Sequence, residues 1–363
     1  PTARPMRGAM LLGPGVGFRV GTLTDDARAR GRCQVTRSST SDTPSTTKHR
    51  QSLTFRDART GVDVCLVGTM HYNPASIELA STKVSALQTS NALAALVLET
   101  CPTRWAKTVK FQPKGSPMRL LLDNEFQAAV DSCGDDTKIV LGDQSIEDLG
   151  ASAKTHFKST VEDFFSPLSG GWQRLWSDCR STYIKEVIGI GTEKPNECLQ
   201  FSDLATDVKL LSSMPLSLFR YPVAWSIKSP KVVLPFFGFI YGLSILPGLV
   251  PVGAVDVVTN TYIASGPENF VSAFFFSLDI LEIVFLSRLF LKALLETRND
   301  ILARSIRDAC ADSNTGTVVA VLGAAHLNGV QARLLEGGDN EMFDDWETLG
   351  DKATVTSVRE SFL

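Results

Sequence analysis

Four short apolar runs punctuate this chain, at 62–67, 93–98, 137–141 and 317–322, and the stretches between them carry apolar residues at helical spacing. Runs of this length and continuity are the pattern of strands buried on both faces, as in a parallel sheet. Residues 76–91 place Ile77, Leu79, Ala80, Val84 and Leu87 at helical intervals. Residues 118–133 read as one further helix, in which Ala128 and Ala129 would let it lie close to the sheet. A third helix runs through Leu291, Leu294, Leu295, Ile301, Leu302, Ile306 and Ala309. Strands alternating with helices predict an α/β fold, with a mixed or parallel sheet covered by helices.

The strand ends carry the chemistry. Gly68-Thr69-Met70-His71 follows the first run and Gly323-Ala324-Ala325-His326 the last, so two of the four histidines stand at equivalent places about 250 positions apart. The second run closes on Glu99 and the third on Gly142-Asp143. In open α/β sheets ligands bind at the carboxyl ends of the strands. A single Gly-x-x-His is ordinarily a satisfied core or loop residue. Two imidazoles converging with carboxylates on one crevice are a beginning for a transition-metal site. Arg104, on the exit loop after Glu99, is expected to pair with Glu99 or to bind an anionic group. Arg298 falls on the apolar stripe of the last helix, so it needs a carboxylate such as Glu99 or Asp143 unless its head snorkels to water. Glu125 is either an exposed charge or a group facing the site; spacing alone leaves both open. Cys101, two residues beyond Glu99, is a candidate soft ligand or nucleophile.

The middle of the chain departs from this alternation. Residues 232–255 form 24 positions without a charge, more than the about 20 that cross a bilayer. Pro235, Pro247, Pro251 and four glycines would break a helix there unless neighbours satisfy the freed backbone groups. A second apolar stretch, 270–291, holds Asp279, Glu282 and Arg288, which are costly at the centre of a membrane, and reads equally as a buried amphipathic helix. Together they predict an apolar helical insertion over 215–295, either a membrane hairpin or a lid over the site, with membrane association preferred. Arg220, Lys228 and Lys231 precede the run as interfacial anchors. Residues 150–230 give weaker helical patterns broken at Ser169-Gly170-Gly171 and at Gly189 and Gly191, with Trp172, Trp176 and Phe201 expected to pack inside.

Composition adjusts the picture at the ends. The net charge of −3 conceals an asymmetry, because residues 1–50 hold nine Lys/Arg against three Asp/Glu, leaving −9 for the remainder. An acidic body argues against nucleic-acid binding. The leading segment is rich in Arg, Ser and Thr, the composition of an organelle transit peptide for plastid or mitochondrion, or of a basic tail with no address. It is expected to lack packed structure, leaving 51–363 as the folded domain. Seven dispersed cysteines without a Cys-x-x-Cys pair read as reduced. The sequence says nothing of oligomeric state.

These residues resemble the TraB family, which is related to the Tiki metalloproteases and, more remotely, to the erythromycin-esterase-like and ChaN-like proteins. The resemblance is carried by Gly68-Thr69-Met70-His71 with Ser76, Leu98-Glu99-Thr100-Cys101 with Arg104, Asn124 to Ala129, Gly142-Asp143, Arg298-Asn299 with Ala303, and Val318 to Val330. Gln144 stands where the family usually has arginine, and Thr297 where it commonly has glutamate. The resemblance implies a metal-dependent hydrolase of peptide or ester bonds. His71, His326 and Glu99 would hold a divalent ion of the Mn, Co or Zn class, with Asp143 a further ligand or an orienter and Glu125 a candidate general base. The alternatives are a binding module that captures a peptide or small molecule without turning it over, and a membrane organiser working through partners.

Overall fold

The computed structural model describes residues 47–49, 51–189, 197–245, 253–313 and 315–336. Its core is a six-stranded sheet in the order β1-β2-β3-β8-β4-β5. The strands are β1 (Thr47–His49), β2 (Ser52–Arg56), β3 (Asp63–Thr69), β4 (Leu93–Leu98), β5 (Lys138–Leu141) and β8 (Thr317–Gly323). β3, β8, β4 and β5 are parallel, while β1 and β2 add an antiparallel edge. The mixed α/β expectation therefore holds.

β8 explains why the strands read as unbroken apolar runs. Val318, Ala320 and Leu322 join one cluster with Leu302, Ile306, Leu327 and Val330; Val319 and Val321 join another with Val84, Leu96, Trp105 and Ala129. The first cluster is covered by α11 (Thr297–Ala311) and α12 (Leu327–Leu335), the second by α1 (Pro74–Thr89), α2 (Pro102–Phe111) and α4 (Glu125–Asp131). Alternation has period two, but both faces are buried, so no polar position interrupts the strand. Each fully buried Val or Leu contributes about 1.5–3 kcal/mol.

Three expectations are corrected. The single helix over 118–133 is two, α3 (Pro117–Leu121) and α4, because Asn124 takes extended backbone and its side-chain oxygen accepts from Gln127 N at 3.0 Å as a helix cap. The segment 1–50 was expected to be unstructured, yet Thr47–His49 pairs with β2, Thr47 opposite Thr54, since the open edge of β2 offers unpaired backbone groups. Residues 1–46, with the targeting segment expected there, lie outside the described residues. Trp172, Trp176 and Phe201, read as packing residues, are 44, 73 and 84% exposed.

The remaining helices are α5 (Ile146–Phe164), α6 (Gly171–Thr182), α7 (Phe201–Ala205), α8 (Val208–Lys228), α9 (Pro230–Ile245) and α10 (Gly266–Leu289), with a hairpin of β6 (Ala254–Asp256) and β7 (Thr261–Ile263) before α10. Gly170, in the left-handed conformation, separates α5 from α6 where the glycine pair marks a break. α9 runs through Pro235 and is described over Pro230–Ile245. Pro247 and Pro251 lie outside the described residues. α10 continues through wide π-type turns at Phe290–Glu296 into α11, giving one helical rod from Gly266 to Ala311. Among the described residues it alone is long and apolar enough to cross a membrane, and none of its most apolar window is buried. Of the two readings of 270–291, a membrane segment or a buried amphipathic helix, the burial of the second is not seen over its most apolar window.

Candidate functional site

Register brings the two Gly-x-x-His phrases side by side. β8 lies between β3 and β4, with Thr69 opposite Gly323 and Val321 opposite Leu98. Segments far apart in sequence thus deliver His71, His326 and Glu99 to adjacent strand ends, and β5 adds Asp143 beside β4. Gly323 is the point they share: a Cβ built there would lie 3.3 Å from Glu99 Oε2, 3.5 Å from His326 Cδ2 and 3.6 Å from His71 Nε2.

Each imidazole is fixed through its Nδ1. His71 Nδ1 is 2.5 Å from Glu125 Oε1, and Tyr72 N donates to Glu125 Oε2 at 3.1 Å. The break before α4 puts Glu125 in that helix's first turn and makes this contact. Glu125 is buried, which settles the choice between an exposed and an inward charge. Burial would push the His71 imidazole down, but the charge and hydrogen bond of Glu125, with Glu99 behind, raise it to about 9. On the other strand, His326 Nδ1 lies 2.6 Å from Asn299 Oδ1 and its Nε2 3.2 Å from Glu99 Oε1.

The carboxylates are held as tightly. Glu99 Oε2 accepts from Gly323 N at 2.5 Å, and Oε1 also meets Arg298. Burial opposes the Glu99 anion, yet His326 and Arg298 hold its carboxyl well below the usual range. Asp143 receives Arg298 on both oxygens and Arg104 Nη2 at 2.5 Å. Arg298 therefore bridges Glu99 and Asp143, satisfying both partners foreseen for it. Arg104 pairs with Asp143 rather than Glu99, because α2 starts at Pro102 and turns the guanidinium toward β5. Burial works against the Arg298 cation, but the two carboxylates raise its pKa. Cys101 is buried, and its Sγ accepts from Arg104 Nε at 3.4 Å.

Other residues of the site escaped sequence reading. Tyr72 has φ of 60°, a conformation a bulky side chain seldom adopts, and its carbonyl accepts from Arg220 Nη1 at 3.5 Å. Lys228 donates to Tyr72 Oη at 3.1 Å and Thr108 Oγ1 at 3.0 Å; burial lowers its pKa to about 8, with Glu125 opposing. Ser217 donates to His71 O at 2.8 Å, and Tyr221 stacks on the His71 ring at 6.2 Å. Ser217, Arg220, Tyr221 and Lys228 belong to α8, so the helix leading into the apolar arm also roofs the first histidine. Lys228, expected as a membrane anchor, reaches Tyr72 and Thr108. No signal along the chain links α8 to His71; only Ser76 was legible, and its Oγ accepts from Met70 N at 2.9 Å.

Imidazoles whose Nδ1 is held by an oxygen acceptor, with Nε2 left toward a carboxylate, are oriented as metal-ligating histidines are. His326 has this orientation, with Nε2 3.2 Å from Glu99 Oε1, and His71 shares the Nδ1 anchor. Among the described residues, however, no three His, Cys, Asp or Glu side chains stand together in a metal-holding arrangement, and Arg298 engages the Glu99 oxygen that faces His326. No family model, curated protein or solved structure matches this chain.

Proposed function

We propose that the chain is a TraB-like hydrolase of peptide or ester bonds, in which His71, His326 and Glu99 hold a divalent ion at the strand ends. The observation that carries this reading is the pair of Nδ1-anchored imidazoles brought to one glycine by adjacent parallel strands. A bound ion would supply a water with its pKa lowered to about 7 and would polarise the scissile carbonyl. Binding requires Glu99 to release Arg298, which keeps Asp143 as its partner and so is not left unpaired. Glu125 fixes His71 by accepting the hydrogen bond of its Nδ1–H, and Asp143 orients Arg298 and Arg104 as positive charges beside a developing oxyanion.

The saturation of the carboxylates favours a second reading, a binding module for a peptide or small molecule, because no carboxylate oxygen of Glu99 or Asp143 lacks a donor. Metal analysis of the purified chain, paired with cleavage of a peptide library, separates the two. The hydrolase reading expects about one ion per chain and turnover, both lost in His326→Ala. Ligand retention without metal or turnover would replace it with the binding module.

We also infer that α10 anchors the protein to a membrane, with Arg288 marking the inner boundary. Its guanidinium is buried against Asp163 at 2.9 Å and Asp178 at 2.6 Å, so the rod enters the folded domain there. Extraction of membranes with alkaline carbonate should leave the chain in the pellet; release into the supernatant would remove the anchor. The targeting role of residues 1–50 is a separate proposal, tested by fusing them to a fluorescent protein and observing import into plastids or mitochondria.

A further inference from the structure

Behind His326, on the side away from the crevice, lies a buried polar chain that the reading above does not use. Asn299 Nδ2 donates to Glu186 Oε2 at 2.6 Å. Glu186 in turn accepts from Arg333 Nη1 at 2.8 Å and Nη2 at 3.0 Å. Arg333 also donates to Asp300, to Gly329 O at 2.8 Å and to Glu296 O at 3.3 Å. Glu186 and Asn299 are wholly buried and Arg333 nearly so. Buried ion pairs are weak contributors to stability, so a retained one asks for another role.

Hydrogen-bond direction supplies that role. A guanidinium only donates, so the Glu186 carboxylate that receives it is an acceptor on both oxygens. The Asn299 group facing Glu186 must then be the amide NH₂, which leaves Oδ1 facing His326. An amide oxygen only accepts, so His326 must carry a proton on Nδ1. We propose that Arg333, Glu186 and Asn299 form a positioning relay that pins the Nδ1–H form of His326 and leaves Nε2, 3.2 Å from Glu99, as the one ring nitrogen free to take a proton or a cation.

Local structure is arranged around this relay. Glu186 sits in a wide π-type turn at Tyr183–Ile188, and Asn299 follows closely on the second such turn at Phe290–Glu296. Turns of this kind interrupt the regular helical phase and are frequent at functional sites. α12 clamps the first of them: Asn328 donates to Val187 O at 2.7 Å and Leu199 O at 2.8 Å, while Arg333 grips Glu186. Between those two residues Gly329 lies against the relay itself, where any Cβ would fall on Glu186 Oε2 and Asn299 Nδ2. Glycine is therefore required there for close approach rather than for backbone freedom.

The inference rests on His326 being a working imidazole, but its test reads the ring and not the reaction. The full chain labelled with ¹⁵N-histidine, in detergent micelles and freed of metal by chelator, has its His326 ring nitrogens read by NMR under one fixed set of conditions. Nδ1 is expected to carry a proton. In Glu186→Gln, Asn299 is free to turn over, and an unprotonated Nδ1 population should appear. Val64→Ala, a core change with no bond to the relay, should leave the ring unchanged. An unprotonated Nδ1 in the wild type overturns the proposal even if the variant fails to fold, and so does a Glu186→Gln ring indistinguishable from the wild type. Absence of metal binding or turnover would sink the hydrolase reading while leaving these outcomes as they are.

Discussion

The sheet edge and the apolar arm of α9 and α10 treat the same kinds of residue in opposite ways. At the edge, Glu99, Asp143, Arg298 and His326 lie inside, each charge answered by another. Along the arm, Phe270, Phe276, Ile283 and Leu286 are exposed over half or more of their surface. A folded chain in water buries apolar surface and exposes charge. The edge departs from that rule through buried, mutually paired charges, and the arm departs from it through exposed apolar side chains. Arg288 lies where the two regimes meet, buried against Asp163 and Asp178 at the base of the arm.

The comparison can be broken most forcefully at the edge. Glu99→Ala leaves Arg298 on Asp143 but strips the buried Gly323 N–H and one Arg298 N–H of their acceptor, each costing about 1–3 kcal/mol in chemical denaturation. Little change would mean that the edge is not a paired, dehydrated cluster. Leu322→Ala opens a cavity beneath the histidines and is expected to lose about 2–5 kcal/mol, read from the shift in denaturation midpoint. Asn124→Ala removes the cap that starts α4 and aims Glu125; about 1 kcal/mol should go. His71 should then lose activity out of proportion to that small cost, which a parallel turnover assay reads. On the arm, Phe276→Ser should shift stability by no more than about 0.5 kcal/mol. Serine at Phe274, Phe276 and Ile283 together should leave the melting temperature alone and move the protein from the carbonate-resistant pellet toward the supernatant. A large loss of stability there would place the arm against protein instead.

Much of the framework was legible along the chain. β4 occupies the predicted 93–98, and β3, β5 and β8 differ from expectation by a residue or two at their ends. Strands buried on both faces leave an apolar run that no helix of that length would show, which is why they were readable. The split at Leu122–Asn124 was not, because the apolar periodicity of 118–133 is unbroken and a single cap decides it. The exposure of Trp172, Trp176 and Phe201 escaped for a similar reason: hydropathy reports what a side chain prefers and not whether a neighbour covers it.

The site divides along the same line. Its strand-end groups, His71, Glu99, Asp143 and His326, announced themselves because a buried strand that stops at a polar residue is a local pattern. Lys228, Ser217 and Tyr221 did not, since α8 approaches His71 from about 150 positions away and nothing in its own periodicity records that contact. Local order, apolar burial and the chemistry at each strand end thus follow from neighbouring residues, whose spacing sets which face they share. Partnership is different: that β8 inserts between β3 and β4, that Arg298 answers Glu99 and Asp143 together, and that Glu186 reaches His326 through Asn299 were decided by tertiary structure. Burial compels each charge to find a partner, but only the packed fold determines which one is within reach.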